Sequence, residues 1–290
     1  MVKVKTVKKK SVKKINWVEV IIVGLMVLAV GAGAYFLVKN VKTADYVVET
    51  NAFFAPFEFY EGQEIKGVDV EIVNRVAEKL GKTIAIKDVE FDVIIDNVEA
   101  GKIADAGVAG LTITEARKEK VDFSIPYYNS VQYAVYRGDS VNLLAGDYIT
   151  WKDMAGKKIG SQTGGTGYLF AQDEIENGEL FGKEVELKGY ESHQLAADAV
   201  RSGIIDFAIV DELAARYIVS KNAELSMVPI YQPGENGEAD APTAEAYAVA
   251  VNKNHPELLE AFNELLTEIL EKDENGESEM DRLVLKYMGF

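Results

Sequence analysis

The 290 residues contain no cysteine, which excludes a disulfide framework, a thiol nucleophile and any thiolate metal site. There are two histidines, His193 and His255, too few for metal centres built mainly on imidazole. No metal and no cofactor is therefore expected. Low-complexity tracts and tandem repeats are also missing. With 48% hydrophobic and 27% charged residues, the chain is a folded one that can bury one large core or two ordinary ones. Positive charge is scarce outside the first segment. Residues 1–43 hold nine lysines and one glutamate, so the formal charge of −16 leaves −24 on residues 44–290. A body that acidic repels phosphate backbones and gains nothing from counterion release, which argues against nucleic acid as a partner.

What is present begins with the N-terminus. Seven lysines fall within residues 3–14, followed by Trp17 and an uncharged run from Val20 to Val38. As a helix that run is about 28 Å long, close to the thickness of a bilayer core. The lysines favour the cytoplasmic side, and Trp17 and Tyr35 sit where interfacial aromatics belong. The expected layout is a basic cytoplasmic segment (residues 1–16), a transmembrane anchor (residues 17–39) and an exported body. The small residues Ala32, Gly33 and Ala34 leave a cleaved signal peptide as the alternative.

From Asp45 onward, short apolar strands alternate with segments of helical periodicity. Tyr46-Val47-Val48 and Thr83–Ile86 read as strands, Val68–Leu80 and Val93–Ala100 as helices closed by Gly81 and Gly101, and Ala104–Ala109 as a strand. A second series follows Arg137: strands at Lys157–Gly160, Glu184–Leu187 and Asp206–Val210, and helices at Gly167–Asn177, at Ser192–Ser202 and from Asp211 to Ser220. Ala246–Val251 reads as one more strand before a helix over Pro256–Lys272. Such alternation predicts α/β lobes, each a sheet flanked by helices.

Three junctions carry chemistry. Ala109-Gly110-Leu111-Thr112-Ile113-Thr114-Glu115-Ala116-Arg117 follows a strand and combines a glycine, hydroxyls and a guanidinium. Arginine's planar fork suits a carboxylate; alternatively, Thr114 caps a helix and Arg117 lies on its surface. Gly160–Gly167, which includes Gln162 and Thr166, joins a strand to a helix start where free N–H groups favour anions, or it is simply a turn. Asp211 ends an apolar strand and either caps the next helix or accepts an ammonium. Among the aromatics, Phe53 and Phe57 are expected in the core, while Phe54 and Phe91 are candidates for the walls of a small cleft.

These blocks resemble the amino-acid type of bacterial extracellular solute-binding protein, the receptor of ABC importers. The likeness rests on Asn51–Phe59, Gly67–Val73, Ala109–Ser124 with Pro126-Tyr127-Tyr128, Trp151–Gly160 and Ile205–Asp211. It implies a two-lobed periplasmic-binding-protein type II fold. Lobe one would be residues 44–127 plus 249–290, lobe two residues 132–244, with hinge strands near 127–131 and 245–248. It further implies that Arg117 grips the ligand's α-carboxylate with Thr112, the Gly110 backbone and Thr166, while Asp211 takes the α-ammonium. Asn51, Phe54, Phe91 and Gln162 would face the ligand side chain. Two departures stand out: Asn51 occupies a position often aspartate in relatives that take cations, and no cysteine is present to carry a lipid.

The implied partners are a free amino acid, a permease and, through the N-terminal helix, the membrane, with the chain itself a monomer. A neutral Asn51 favours a polar, uncharged amino acid such as glutamine. The rival readings are a sensor ectodomain working through a signalling partner and a dehydratase-like enzyme on the same fold. No nucleophile–base pair appears in the motifs, so no enzyme activity is expected.

Overall fold

A computed structural model describes residues 44–139, 147–234 and 240–289. The expected membrane helix over 17–39 and the basic segment before it lie outside the described residues. Among those described, no helix is long and apolar enough to cross a membrane.

The chain enters through β1 (Tyr46–Thr50), then makes a small meander of β2 (Phe53–Phe54), β3 (Glu58–Glu61) and β4 (Glu64–Lys66). Helix α1 (Val68–Leu80) follows, burying Val68, Ile72, Val73 and Val76 along one face. Asp69 and Glu71 sit in its positively polarised first turn, and left-handed Gly81 closes it with N–H bonds to Ala77 and Glu78. Next come β5 (Ile84–Asp88), a 3-10 turn from Phe91 to Val93, α2 (Ile94–Ala100), β6 (Ala106–Gly107), α3 (Glu115–Lys120) and β7 (Asp122–Phe123). The expected strand over 104–109 is thus only two residues long.

The long strand β8 (Tyr128–Arg137) leads into the second lobe, followed by β9 (Ile149–Thr150), β10 (Lys158–Gln162), α4 (Thr166–Glu176), β11 (Glu186–Tyr190), α5 (His193–Arg201), β12 (Phe207–Asp211), α6 (Glu212–Lys221), β13 (Leu225–Gln232) and β14 (Ala241–Pro242). The chain returns through β15 (Ala244–Tyr247) and β16 (Ala250–Val251) and ends in helices α7 (Pro256–Leu270) and α8 (Glu279–Met288).

Two sheets result. The first runs β5-β1-β6-β16-β7, parallel from β5 to β6, with β16 antiparallel to both its neighbours. The second runs β11-β10-β12-β8-β13-β14, and β15 adds to β8 in register Tyr128↔Tyr247 through Val131↔Ala244. One expectation needs correction here: residues 246–251 are not one strand. After Tyr247 the chain leaves the β8 ladder, with Ala248 N–H donating to Leu111 O at 3.0 Å and Val249 N–H to Ser124 Oγ at 2.9 Å, before β16 joins the first sheet. The two strand pieces therefore belong to different sheets.

Phe57 is fully buried, as expected, but Phe53 is 54% exposed. Successive strand residues face opposite sides, so burying Phe54 turns Phe53 outward against Tyr60, ring centroids 6.1 Å apart. Helix α7 packs on α1 through fully buried Leu258, Phe262 and Leu266. Phe262→Ala leaves a cavity in that core and is expected to cost about 3–5 kcal/mol. Urea unfolding checks this as a lower midpoint with an unchanged slope.

Candidate functional site

The site forms where the β6–α3, β10–α4 and β12–α6 junctions meet. Thr114 does cap α3, its Oγ1 accepting from Arg117 N–H at 3.2 Å, yet the Arg117 side chain is not on the surface. It is 9% exposed, donating from Nη1 to Thr112 O at 2.8 Å and from Nη2 to Gly164 O, in the other lobe, at 3.1 Å. The Phe91 ring lies 5.6 Å from the guanidinium carbon, a cation–π distance. Among the described residues no carboxylate pairs with Arg117. Burial pulls its pKa down, and the more distant charges of Glu245 and Asp211 oppose that pull.

Asp211 does not cap α6 with its side chain. Its Oδ1 instead accepts from Gln132 Nε2 at 2.5 Å, and the same nitrogen reaches Glu245 Oε2 at 2.7 Å. All three residues are buried, as are Tyr247 and His193, whose Nε2 lies 3.4 Å from Asp211 Oδ2. Burial raises the Asp211 carboxyl well above the ordinary range, and the adjoining Glu245 carboxyl raises it further. Burial also lowers His193 to about 4, so this imidazole is neutral near pH 7.

Between these poles the lobes touch. Asn51 Nδ2 donates to Val89 O at 2.8 Å, and its Oδ1 accepts from Gln162 Nε2, across the cleft, at 2.9 Å. Thr112 and Thr166 bring their hydroxyls within 3.3 Å. Phe54 tilts against His193 with ring centroids 5.2 Å apart. Gly110 has φ +54°, and a Cβ there would sit 2.4 Å from the Phe54 ring, so conformation and space both favour glycine. Its N–H is committed to Asp69 Oδ2 at 3.2 Å and so is not available to a ligand.

At the cleft mouth a cavity of about 250 Å³ is lined by Glu90, Phe91, Asp92, Thr163, Tyr190 and Glu191. A larger hollow of about 540 Å³ beside β4 and α1 is lined by charges that already pair with near neighbours, Lys66 with Glu64 and Glu71 with Lys286. The convergent, buried and incompletely paired groups belong to the cleft, which makes it the candidate site.

All nine residues singled out in the sequence lie at or beside this cleft. Sequence reasoning missed Gln132, Glu245, Tyr247 and His193. The signal was strand parity: Glu245 and Tyr247 alternate with more exposed neighbours on β15, and Gln132 is buried on β8.

The chain belongs to the bacterial extracellular solute-binding proteins, family 3, whose family model matches residues 46–290. The family and the curated relatives that match are solute-binding proteins rather than enzymes. The chain is 28% identical over 235 residues to the arginine-binding extracellular protein ArtP of Bacillus subtilis, covering 80% of this chain and 82% of that one. Among solved structures, the holo form of ArgBP from T. maritima superposes with a TM-score of 0.65 at 30% identity, over 83% of this chain and 95% of that one. An ancestral arginine-binding protein bound to glutamine gives a TM-score of 0.66 at 29% identity, over 84% and 98%. These likenesses establish the two-lobed α/β fold.

A pH signature follows from the carboxyl pair behind Gly110. Burial raises Asp69 from its usual 3.8 to about 6, and burial together with the Asp69 charge raises Glu58 well above its own usual value. Raised acids favour the protonated folded form, so their contribution is complete below about pH 4 and is lost as pH climbs through about 6 and beyond. Glu58→Gln, which cannot ionise, is expected to melt with the parent near about pH 4 and above it near about pH 8. A gap between parent and variant that does not widen with pH contradicts this assignment.

Proposed function

We propose that this protein captures a free basic amino acid, arginine foremost, between its lobes and delivers it to the permease of an ABC importer. The observation that carries the reading is the charge inventory of the cleft: one buried guanidinium, without a carboxylate partner among the described residues, faces two buried carboxyls, Asp211 and Glu245. An α-amino acid supplies a carboxylate for Arg117 and an ammonium for Asp211. Glu245 is left over, and a second positive charge on the ligand balances it. The acidic mouth formed by Glu90, Asp92 and Glu191 favours the same charge, as does the strongly acidic body, which steers cations inward. Relatives named for arginine support the same class.

A second reading, a polar uncharged amino acid such as glutamine, is favoured by one observation. Asn51 and Gln162, the residues expected at the ligand side chain, are both neutral amides and bond to each other. In that case the two amides meet a polar side chain and the ligand brings no second charge to the cleft. An ancestral relative solved with glutamine keeps this alternative in view.

Within this proposal Thr112, Thr166 and the Gly110 carbonyl assist Arg117 and Asp211 at the α-groups, while Phe54, Phe91, Asn51 and Gln162 line the side chain. The lobes are residues 44–127 plus 249–290 and residues 132–244, hinged near 127–131 and 245–248, where β8 and β15 pair. Closure presents the permease with a surface that only the loaded receptor has. The chain acts as a monomer held at the membrane by residues 17–39.

Three outcomes are expected. Arg117→Ala and Asp211→Ala should each weaken amino-acid binding by about 2–5 kcal/mol, measured by calorimetry, because each strands a buried charge on the ligand. In competition at physiological salt, arginine should win over glutamine by more than about tenfold; parity or a glutamine preference returns the second reading. On fractionating cells that express the full chain, the protein should pellet with membranes, whereas a soluble form starting near Tyr35 indicates a cleaved signal.

A further inference from the structure

A second pair of carboxyls, Glu58 and Asp69, is fully buried behind the Gly110 turn. The first turn of α1 folds back on the chain ahead of β3, with Asp69 N–H donating to Phe57 O at 3.0 Å, and this sets Asp69 beside Glu58. Asp69 Oδ2 then reaches two further elements. It accepts from Gly110 N–H at 3.2 Å and from the Tyr127 hydroxyl at 2.9 Å. Gly110 opens the turn that carries Thr112 and Arg117. Tyr127 is the residue before β8, and its own N–H donates to Tyr247 O on β15 at 2.9 Å. One buried oxygen therefore ties the ligand turn to both crossing strands.

The other three oxygens of the pair, Glu58 Oε1, Glu58 Oε2 and Asp69 Oδ1, find no N–H or O–H donor elsewhere among the described residues. No cation acts on them either. The neighbours that do are Asp88, at the end of β5, whose negative charge adds to the rise at Glu58, and Tyr127, a buried phenol held well above its ordinary range. Burial raises both carboxyls, Asp69 to about 6. Two adjoining acids without a counter-charge keep one proton between them. Glu58 donates it to Asp69, and Asp69 stays the acceptor that Gly110 and Tyr127 require.

We propose that Asp69 is a positioning residue for ligand capture: it fixes the turn from Gly110 to Arg117 against the hinge at Tyr127, and Glu58, as its hydrogen-bond donor, keeps it in place. The inference rests on the reading above of that turn as the grip on an amino acid. Both carboxyls act through the turn and not on the ligand. Loss of the shared proton removes the Glu58 donor and leaves two buried anions side by side, which pushes Asp69 off the turn. Raised acids hold their proton at low pH, so the turn is aligned there and loosens as pH climbs through about 6 and beyond. Ligand affinity falls in step.

The test is calorimetric titration of the full chain and of Glu58→Gln with L-arginine and with L-glutamine, from about pH 6 to about pH 8.5, at a temperature where both chains are folded. The introduced amide is a donor that no rise in pH removes. The parent's affinity divided by that of Glu58→Gln is expected to fall at least about threefold across this range. Ionisation of the ligand, of Asp211 and of His193 affects both chains alike and cancels in the ratio. Asp69→Asn, which removes one carboxyl but keeps an acceptor for Gly110 and Tyr127, serves the same comparison where Glu58→Gln does not fold. Tyr127→Phe, which cuts the hinge arm alone, is expected to weaken binding at least about threefold. A ratio that stays constant with pH, or a Tyr127→Phe chain that binds as tightly as the parent, overturns the proposal while amino-acid capture stands. If the parent binds neither amino acid, that reading fails and takes the proposal with it.

Discussion

A guanidinium that is nine-tenths buried and bonded, among the described residues, to backbone carbonyls alone is an unfinished electrostatic arrangement. Arg117 donates to Thr112 O and Gly164 O, one from each lobe, and has an aromatic ring over it. Carbonyl oxygens hold the group in place but do not neutralise it, and a buried charge without a counter-charge is costly. The remaining design of the cleft follows from that cost. On the proposed function an anion arrives from outside, its partner ammonium meets Asp211, and the walls come close enough to exclude water.

The close approach depends on particular small residues. Gly110 lets the Phe54 ring lie where a side chain would otherwise stand, and Gly164 approaches Asp92 of the opposite lobe so tightly that an added Cβ would come within 2.8 Å. In the same region Asn51 bonds to Gln162, and the hydroxyls of Thr112 and Thr166 lie 3.3 Å apart. Ligand-driven closure needs contacts that exist in one arrangement and not the other. Under the proposed function the lobe-to-lobe bonds at Gly164, Gln162 and Thr166 are the contacts that would meet that condition.

Much of this was legible in the sequence, and the exceptions have physical reasons. Helices with clear periodicity and glycine stops, such as 68–80, fall where their spacing puts them, because apolar spacing and the Gly81 cap agree. The break in residues 246–251 was not legible, since an unbroken apolar run cannot show that its first half pairs with β8 and its second half with β6 and β7. The candidate residues in strand–helix junctions stood out because glycine, hydroxyl and charge cluster there, and the fold brings them to one cleft. Glu245 and Gln132 were not, because they lie within strands, where a polar residue at a buried parity looks like ordinary alternation until the partner strands are known. His193 was passed over because it lies outside the motif blocks, although the fold brings it to Asp211. The neutral Asn51 pointed to an uncharged ligand, and the placement of Glu245, together with the acidic cleft mouth, made the case for a cation.

The central claim, that a ligand carboxylate completes Arg117, is tested most directly by comparing L-arginine with agmatine, the same molecule without its α-carboxylate, in thermal unfolding of the full chain. A ligand bound only by the native state raises the melting temperature in proportion to its occupancy and affinity. The account predicts a clear rise with L-arginine and none with agmatine at the same concentration. Equal stabilisation by the two would contradict it.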